Sequence, residues 1–111
     1  MGSRGRNSYR YRREITLSEA DINHIIERHS ALSQYPGKTK FPKSWSDVDI
    51  INAVEKTLDK PDKLVYPIPP NDRYQIESDF DGITVRVSYF YENGKAVFHS
   101  AYPLPGGDVN E

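Results

Sequence analysis

Cysteine is absent from this 111-residue chain, and histidine occurs only three times, as His24, His29 and His99. Without cysteine there are no disulfide bonds and no zinc sites built on thiolates. No run of apolar residues approaches the ~20 that a membrane-spanning helix needs. The histidines show no His-x-x-x-His spacing and have no obvious cluster of carboxylates beside them, so we predict no metal site and no cofactor.

Charge is distributed unevenly along the chain. Residues 1–13 hold five arginines and no acidic residue, whereas the remaining 98 residues hold the other 10 Lys and Arg against all 16 Asp and Glu, a balance of −6. A body this acidic argues against sequence-independent nucleic-acid binding over a broad surface, because cationic charge normally supplies that affinity. RNA would have to be held by a local cationic patch. We interpret residues 1–13 as a flexible basic tail and residues 14–111 as a single domain.

Two helices are predicted in the first half of this domain. The segments Ser18-Glu19-Ala20-Asp21 and Ser46-Asp47-Val48-Asp49 each place an acidic residue three positions after a serine, which is a capping-box signature. Apolar residues at helical spacing follow both segments. The first helix is expected over about residues 18–32, and the second is expected to end before Pro61.

Antiparallel strands are predicted in the second half. Prolines limit the strand around residues 63–68 to a short or edge strand, and residues 73–80 and 83–91 alternate as strands do. Asn93-Gly94 accepts the positive φ angles of a type I′ turn and predicts a hairpin with a final strand over residues 96–102. The expected fold class is α+β, with the two helices packed on one face of a three- to four-stranded antiparallel sheet.

The turn at Asn93-Gly94 also predicts which side chains share a face of this hairpin. A two-residue turn pairs residues whose numbers sum to 187. The more apolar face would then carry Val85, Val87, Tyr89, Phe98, Ser100 and Tyr102. The other face would carry Arg86, Ser88, His99 and Ala101. Cation, hydroxyl and imidazole together suggest a phosphate-binding surface, and an ordinary solvated sheet face is the alternative.

Two of the three histidines lie on the first predicted helix. His29 shares a helical face with isoleucines, so a core histidine hydrogen-bonded at the helix end is the structural alternative to a catalytic role. His24 points about 140° away from His29 on a regular helix. Either the helix ends near Arg28 and frees His29, or only one of the two acts on a phosphate. The following loop, Lys38 to Lys43, holds three lysines that could stabilise a phosphodiester, or it is an ordinary soluble loop.

Four short motifs occur in a fixed order over roughly residues 24–103. They are His24-Ile25-Ile26, Lys40-Phe41-Pro42-Lys43-Ser44-Trp45-Ser46, Gly82-Ile83-Thr84-Val85-Arg86-Val87 and Ser100-Ala101-Tyr102-Pro103. In this order they resemble the bacterial EndoU-type ribonuclease toxin domains, part of a wider group that includes barnase, the tRNase colicins and RelE. The resemblance implies metal-independent cleavage of RNA, expected to be tRNA, by attack of the 2′-hydroxyl, leaving a 2′,3′-cyclic phosphate.

The resemblance also implies site residues. His24 matches the first family histidine, Ser100 and Tyr102 match the hydroxyl and the phenol, and Lys40 is the expected active-site lysine. The family's second histidine normally follows a Gly-Gly pair that is absent here, so His29 is the only nearby candidate. The predicted catalytic residues are therefore His24, His29, Lys40, Ser100 and Tyr102, and the predicted substrate-binding residues are Arg28, Lys38, Arg86 and His99.

The turn register conflicts with this site, because it separates Ser100 and Tyr102 from His99 and Arg86. A β-bulge near His99 would exchange the faces, or the site would straddle the strand end. In the implied mechanism one histidine takes the 2′-hydroxyl proton and another protonates the departing 5′-oxygen.

Partners and location follow from the resemblance as well. It implies an RNA substrate, a cognate immunity protein and no membrane partner. The domain would be secreted or delivered from a bacterial cell surface, as in contact-dependent inhibition, and act in the cytoplasm of the target cell. Two alternatives stay open: an acidic immunity or antitoxin-type binding protein, and a catalytically inactive EndoU-like RNA binder.

Overall fold

A computed structural model of the chain describes residues 11–104. These residues form an α+β fold in which two helices precede a four-stranded antiparallel sheet of order β1-β2-β3-β4. The elements are α1 (Glu19–His29), α2 (Asp47–Asp59), β1 (Lys63–Val65), β2 (Tyr74–Phe80), β3 (Ile83–Glu92) and β4 (Lys95–Pro103). The predicted α+β class, the order of the elements and the antiparallel sheet are confirmed.

Both helices begin at the predicted capping boxes. The Ser18 hydroxyl accepts from the backbone N–H of Asp21 at 3.0 Å, and the Asp21 carboxylate accepts from the N–H of Ser18 at 3.0 Å. Ser46 caps α2 in the same way. Helix α1 ends at His29, earlier than the predicted residue 32, because Ser30 is extended. The backbone N–H of Phe41 then donates to the His29 carbonyl at 2.7 Å, which ties the returning loop to the helix end.

One hydrophobic core joins the helices to the sheet. Helix α1 packs against β4, and α2 packs against β2 and β3. The core consists of Ile15, Ile25, Phe41, Ile50, Ala53, Val54, Leu58, Ile76, Val85, Val87, Tyr89 and Ala101. Burying a large aliphatic side chain stabilises a fold by about 1.5–3 kcal/mol, so these contacts provide most of the support for the sheet.

Residues 11–13, which the sequence analysis assigned to the basic tail, pack against α2. The Tyr11 hydroxyl donates to the Leu58 carbonyl at 2.5 Å. The guanidinium of Arg13 contacts the carboxylates of Glu55 at 2.5 Å and Asp59 at 2.6 Å. The described fold therefore includes these three residues, and residues 1–10 of the predicted tail lie outside the described part of the chain.

The β3–β4 hairpin changes register halfway along its length. Next to the turn, Tyr89 pairs with Phe98, as predicted, and Asn93 and Gly94 have the φ angles of 54° and 79° that a type I′ turn requires. Beyond that pair the strands shift, and Ser88 pairs with Ser100. His99 is therefore an extra residue in β4, a β-bulge.

The bulge corrects the predicted faces of β4. Tyr102 pairs with Arg86, and Ala101 pairs with Val87. Because side chains alternate along a strand, Ser100 and Tyr102 lie on the face of Arg86, and Ala101 is fully buried in the core. The expectation that Ser100 and Tyr102 share a face with Val87 was wrong beyond the bulge.

Candidate active site

A cavity of about 550 Å³ lies at the face of the sheet that carries Arg86. Three strands contribute to its wall, together with the C-terminal end of α1 and the loop that follows. Its lining residues are His29, Gly37, Lys38, Thr39, Arg73, Gln75, Arg86, Ser88, His99, Ser100, Tyr102 and Leu104. The volume falls within the roughly 300–1,000 Å³ typical of small-ligand sites.

Six of the nine predicted site residues line this cavity: His29, Lys38, Arg86, His99, Ser100 and Tyr102. The end of α1 meets the last strand where the rings of His29 and Tyr102 stack, with centroids 5.7 Å apart and planes 30° apart. The lining does not include His24, Arg28 or Lys40. Convergence of the first helix and the last strand, on which the motif hypothesis depends, is present in the fold, and the roles of the individual residues stay predictions.

His29 is only 4% exposed and has a defined tautomer. Its Nδ1 lies 2.7 Å from the carbonyl oxygen of Thr39. A carbonyl can only accept, so Nδ1 carries the proton and Nε2 is the acceptor nitrogen. Burial lowers the pKa of His29 to about 4; the bond to Thr39 opposes this shift, and the charges of Lys38, Lys40 and His24 add to it. His29 is therefore neutral at pH 7 and can receive a proton at Nε2.

The other two histidines are less buried. Burial, and next the charge of Arg28, lower the pKa of His24. Burial, and next the charges of Arg73 and His24, lower the pKa of His99. His24 thus lies within electrostatic range of both other imidazoles, although it is not part of the cavity wall.

Lys40 makes contacts that differ from those expected of an active-site cation. Its ammonium group donates to the carbonyls of Tyr35 at 2.6 Å and Lys38 at 2.9 Å. These bonds close the loop on itself, and Lys40 is only 9% exposed. The lysine on the cavity wall is Lys38. Of the two predicted loop lysines, Lys38, expected to bind substrate, is therefore on the cavity wall, and Lys40, expected to be catalytic, is not.

Arg28, predicted to bind substrate, lies over a neighbouring aromatic ring. Its Cζ is 4.6 Å from the centroid of the Tyr35 ring. The buried Nε of Arg28 has no hydrogen-bond partner within the part of the chain that the structure describes. This guanidinium is next to the cavity loop but outside the lining.

Arg86 is held in place by a buried carboxylate. Its Nε and one terminal nitrogen donate to Oε2 of Glu77 at 2.8 Å and 2.6 Å, and Glu77 is 8% exposed. Burial by itself lowers the pKa of Arg86, but hydrogen bonds to Glu77 and Tyr102 outweigh burial and raise it. Arg86 is therefore a permanently charged group in a fixed orientation on the cavity wall.

Arg73 and Gln75, which line the cavity on its β2 side, were not predicted from the sequence. The Asp81-Gly82 turn, with φ angles of 54° and 87°, joins β2 to β3 with Phe80 opposite Ile83, and Gln75 lies opposite Ser88. Asp-Gly is a strong hairpin signal. Applying the turn rule there, as at Asn93-Gly94, would have placed both residues beside the predicted site.

Among residues 11–104, no group of three or more His, Cys, Asp or Glu side chains is arranged to hold a metal ion. Within the same range no helix is long and apolar enough to cross a membrane. Comparison with known proteins finds no matching protein family, no matching curated protein and no matching solved structure. The cavity and the motifs of the chain are therefore the observations from which its function is inferred.

Proposed function

We propose that this chain is a metal-independent endoribonuclease toxin domain that cleaves RNA, with tRNA as the expected substrate. The observation that carries the proposal is the convergence of six predicted site residues on one cationic cavity. The cavity combines the imidazoles of His29 and His99 with the cations Lys38, Arg73 and Arg86. This set suits a phosphodiester anion, and it supplies groups that can accept and donate protons.

The proposal includes a division between the two faces of the sheet. Core residues of both helices cluster with Val85, Val87 and Ala101, whereas Arg86 and Ser100 line the cavity. We infer that both helices pack on one face of the sheet and that RNA binds at the other. The end of α1 and the loop after it would then form the side wall of the RNA site.

The 2′-hydroxyl of RNA is the nucleophile in this reaction. Nε2 of His29 takes the 2′-hydroxyl proton, the 2′-oxygen forms a bond to phosphorus, and the bond from phosphorus to the 5′-oxygen breaks. A protonated imidazole gives its proton to the departing 5′-oxygen, and a 2′,3′-cyclic phosphate remains. The chemistry needs no metal because the nucleophile belongs to the substrate.

Two imidazoles can serve as the acid. His99 lines the cavity with His29, which favours His99, and His24 is the residue that the motif resemblance indicates. Burial lowers the pKa of both below 6.5. We therefore expect a bell-shaped pH dependence of kcat/KM, rising as His29 loses its proton near pH 4 and falling before pH 6.5 as the acid loses its own.

The remaining wall residues stabilise the charge that develops on the phosphorane. Lys38 and Arg86 offset its negative charge, and the Ser100 hydroxyl donates a hydrogen bond to it. Tyr102 offers a ring on which a base can stack, which is worth about 1–3 kcal/mol per base. Lys40 acts through the loop that it closes, as a positioning residue.

Partners and location enter the proposal through the motif resemblance. A cognate immunity protein would block the site in the producing cell. The domain would be delivered from a bacterial cell and would act in the cytoplasm of its target. Expression is informative here, because a toxin is tolerated only beside its partner or as an active-site variant.

Incubation with tRNA in the presence of EDTA tests the reaction. We expect fragments that end in a 2′,3′-cyclic phosphate, at a rate that EDTA does not change. His29→Asn can keep a donor for the Thr39 carbonyl but has no basic nitrogen, so we expect it to reduce kcat at least about 100-fold. His24→Gln and His99→Gln then identify the acid: the substitution that reduces kcat by a similar factor removes it. Cleavage that requires a metal, or that survives loss of all three histidines, would contradict the mechanism.

One observation favours a catalytically inactive RNA binder as the second candidate. The ammonium group of Lys40, the expected catalytic cation, is engaged by two backbone carbonyls. An inactive binder would retain tRNA without producing fragments. An acidic immunity-type protein, by contrast, would neither retain nor cut tRNA and would be harmless when expressed alone.

A further inference from the structure

The cavity face of the sheet is built from three rows of side chains that run across the strands. In the first row, Arg73 precedes Tyr74, which pairs with Tyr89, so Arg73 lies beside Phe90. The second row is Gln75, Ser88 and Ser100, and the third row is Glu77, Arg86 and Tyr102. Successive rows are about 7 Å apart, twice the rise per residue of a strand.

The second and third rows differ in their chemistry. The third row is charged and bonded within itself, through the two hydrogen bonds from Arg86 to Glu77. The second row is uncharged. Within residues 11–104, the side chain of Gln75 forms no hydrogen bond, although its amide carries two donor hydrogens and an acceptor oxygen. Ser100, at the β4 end of this row, borders the phosphate site, whereas the β2 end at Gln75 is neutral and better suited to a base than to an anionic phosphate.

The first row offers a flat surface. The Cζ of Arg73 lies 4.7 Å from the centroid of the Phe90 ring, so the guanidinium lies over the ring. One terminal nitrogen of Arg73 donates to Asp72 at 2.6 Å, which restricts the orientation of the guanidinium. The side chain of Arg73 is 34% exposed, so the guanidinium remains accessible. Guanidinium planes stack on nucleobases as well as on aromatic side chains.

We propose that Arg73 and Gln75 form a nucleobase subsite, in which one base of the RNA stacks on the Arg73 guanidinium and presents its edge to the Gln75 amide. This inference rests on the proposed ribonuclease function and specifies how the same cavity selects its cleavage site. The third row, with His29 and Lys38, holds the scissile phosphate. The base attached to the neighbouring ribose then lies over Gln75 in the second row, one row away from the phosphate.

The subsite makes Gln75 a specificity-determining residue. Every nucleobase carries a donor next to an acceptor on at least one edge, so the amide can pair with two atoms of a base. A two-atom pair of this kind discriminates between bases by roughly ten- to hundred-fold. Losing it should flatten the base preference of the enzyme, whereas losing a catalytic group lowers the rate for all bases equally.

Four chimeric oligodeoxynucleotides test this, each with one ribonucleotide, A, C, G or U, as the only cleavable position. We expect wild-type kcat/KM values to spread at least about ten-fold across the four, and the spread to shrink to about three-fold or less in Gln75→Leu and Gln75→Ala. Arg73→Lys keeps the charge but loses the planar surface, so it should raise KM more than it lowers kcat. Gln34→Leu, the same change at an exposed loop residue outside the cavity, should keep the wild-type spread.

A wild-type spread below three-fold, or an unchanged spread in folded Gln75→Leu and Gln75→Ala, would overturn the subsite. Failure of the ribonuclease proposal is separable from this outcome. If the wild-type protein cuts none of the four substrates, binding of the all-deoxy tetranucleotides dA₄, dC₄, dG₄ and dT₄ is measured instead by NMR titration. A base-dependent Kd that Gln75→Leu equalises supports the subsite without any cleavage, and equal Kd values for the wild type overturn it.

Discussion

The two halves of the β3–β4 hairpin differ in register and in character. The half next to the turn keeps the pairing that the turn imposes and is aromatic, with Tyr89 stacked on Tyr74 at a centroid distance of 5.5 Å. The half beyond His99 is shifted by one residue and is polar, so that Ser100 joins Arg86 on the cavity wall. A turn therefore determines register only as far as the first bulge, and the cavity-lining residues that the hairpin contributes lie at the bulge and beyond it.

Deleting His99 is the strongest way to abolish this difference. Without the extra residue, the turn register continues along β4, which forces Ser100 and Tyr102 towards the core and Ala101 out of it. Each buried hydroxyl without a partner costs about 1–3 kcal/mol, and the packing of Ala101 is lost as well. We expect the deletion to remove about 5 kcal/mol or more of the free energy of unfolding, measured by urea denaturation.

His99→Ala is the control for this deletion, because it removes the imidazole and keeps the residue count. It should cost less than about 1 kcal/mol, since His99 is exposed. Equal stabilities of the deletion and the substitution would show that the extra residue does not maintain the two faces.

The neighbouring residues Gln75 and Ile76 of β2 lie on opposite faces of the sheet, so substitutions there compare the two faces directly. Ile76 is fully buried, and Gln75 lines the cavity. Ile76→Ala should lower the free energy of unfolding by about 2–5 kcal/mol, because it leaves a void in the core. Gln75→Ala should change it by no more than about 0.5 kcal/mol. Similar losses in urea denaturation would mean that the cavity face is packed like the core.

Acid should lower the free energy of unfolding, because His29 is buried in its neutral form. In the unfolded chain this imidazole binds a proton near pH 6.5, but in the folded protein its pKa is about 4. The stability is therefore complete above pH 6.5 and falls by about 3 kcal/mol as the pH drops towards 4. His29→Asn should lose this part of the pH dependence when unfolding is measured between pH 7 and 4.5. If the free energies of unfolding of the wild type and His29→Asn differ by the same amount at every pH, the depressed pKa of His29 is contradicted.

The turn end of the hairpin should respond least. Gly94 has a φ angle of 79°, and a Cβ placed there would meet no atom within 4 Å, so Gly94→Ala carries only a backbone cost of about 1–2 kcal/mol. Lys95→Ala, next to it, is the matched control and should be nearly neutral. RNA cleavage by Gly94→Ala should match the wild type at a temperature where both are folded. Reduced cleavage by the folded variant would mean that the two halves of the hairpin are coupled.

Local sequence signals predicted the elements of this fold because their causes are local. A serine followed by an aspartate three residues later supplies its own capping hydrogen bonds, and Asn93-Gly94 tolerates positive φ without help from the rest of the chain. The end of α1 was less predictable, since Phe41, twelve residues further on, bonds the His29 carbonyl. Contacts of that range leave no periodicity to read.

Which side chains of β4 face the core depends on which residues are most favourably buried, and a local turn rule does not take this into account. Placing Ala101 and Pro103 in the core is more favourable than burying Ser100 and Tyr102, and one extra residue at His99 achieves this. The same limit applies to the lysines of the cavity loop. Whether Lys38 or Lys40 faces the site depends on the backbone path, which the spacing of the three loop lysines does not reveal.

The hydrogen bond from His29 to the Thr39 carbonyl holds the cavity loop beside the imidazole, so charges on the loop affect the protonation of His29. Lys38 directly precedes Thr39 in this loop, and its positive charge helps to lower the pKa of His29. An anion that neutralises Lys38 removes that repulsion, so His29 becomes more basic when the anion arrives. By thermodynamic reciprocity, protonated His29 holds the anion more tightly, and the affinity of the cavity for anions should rise in acid for as long as the fold survives.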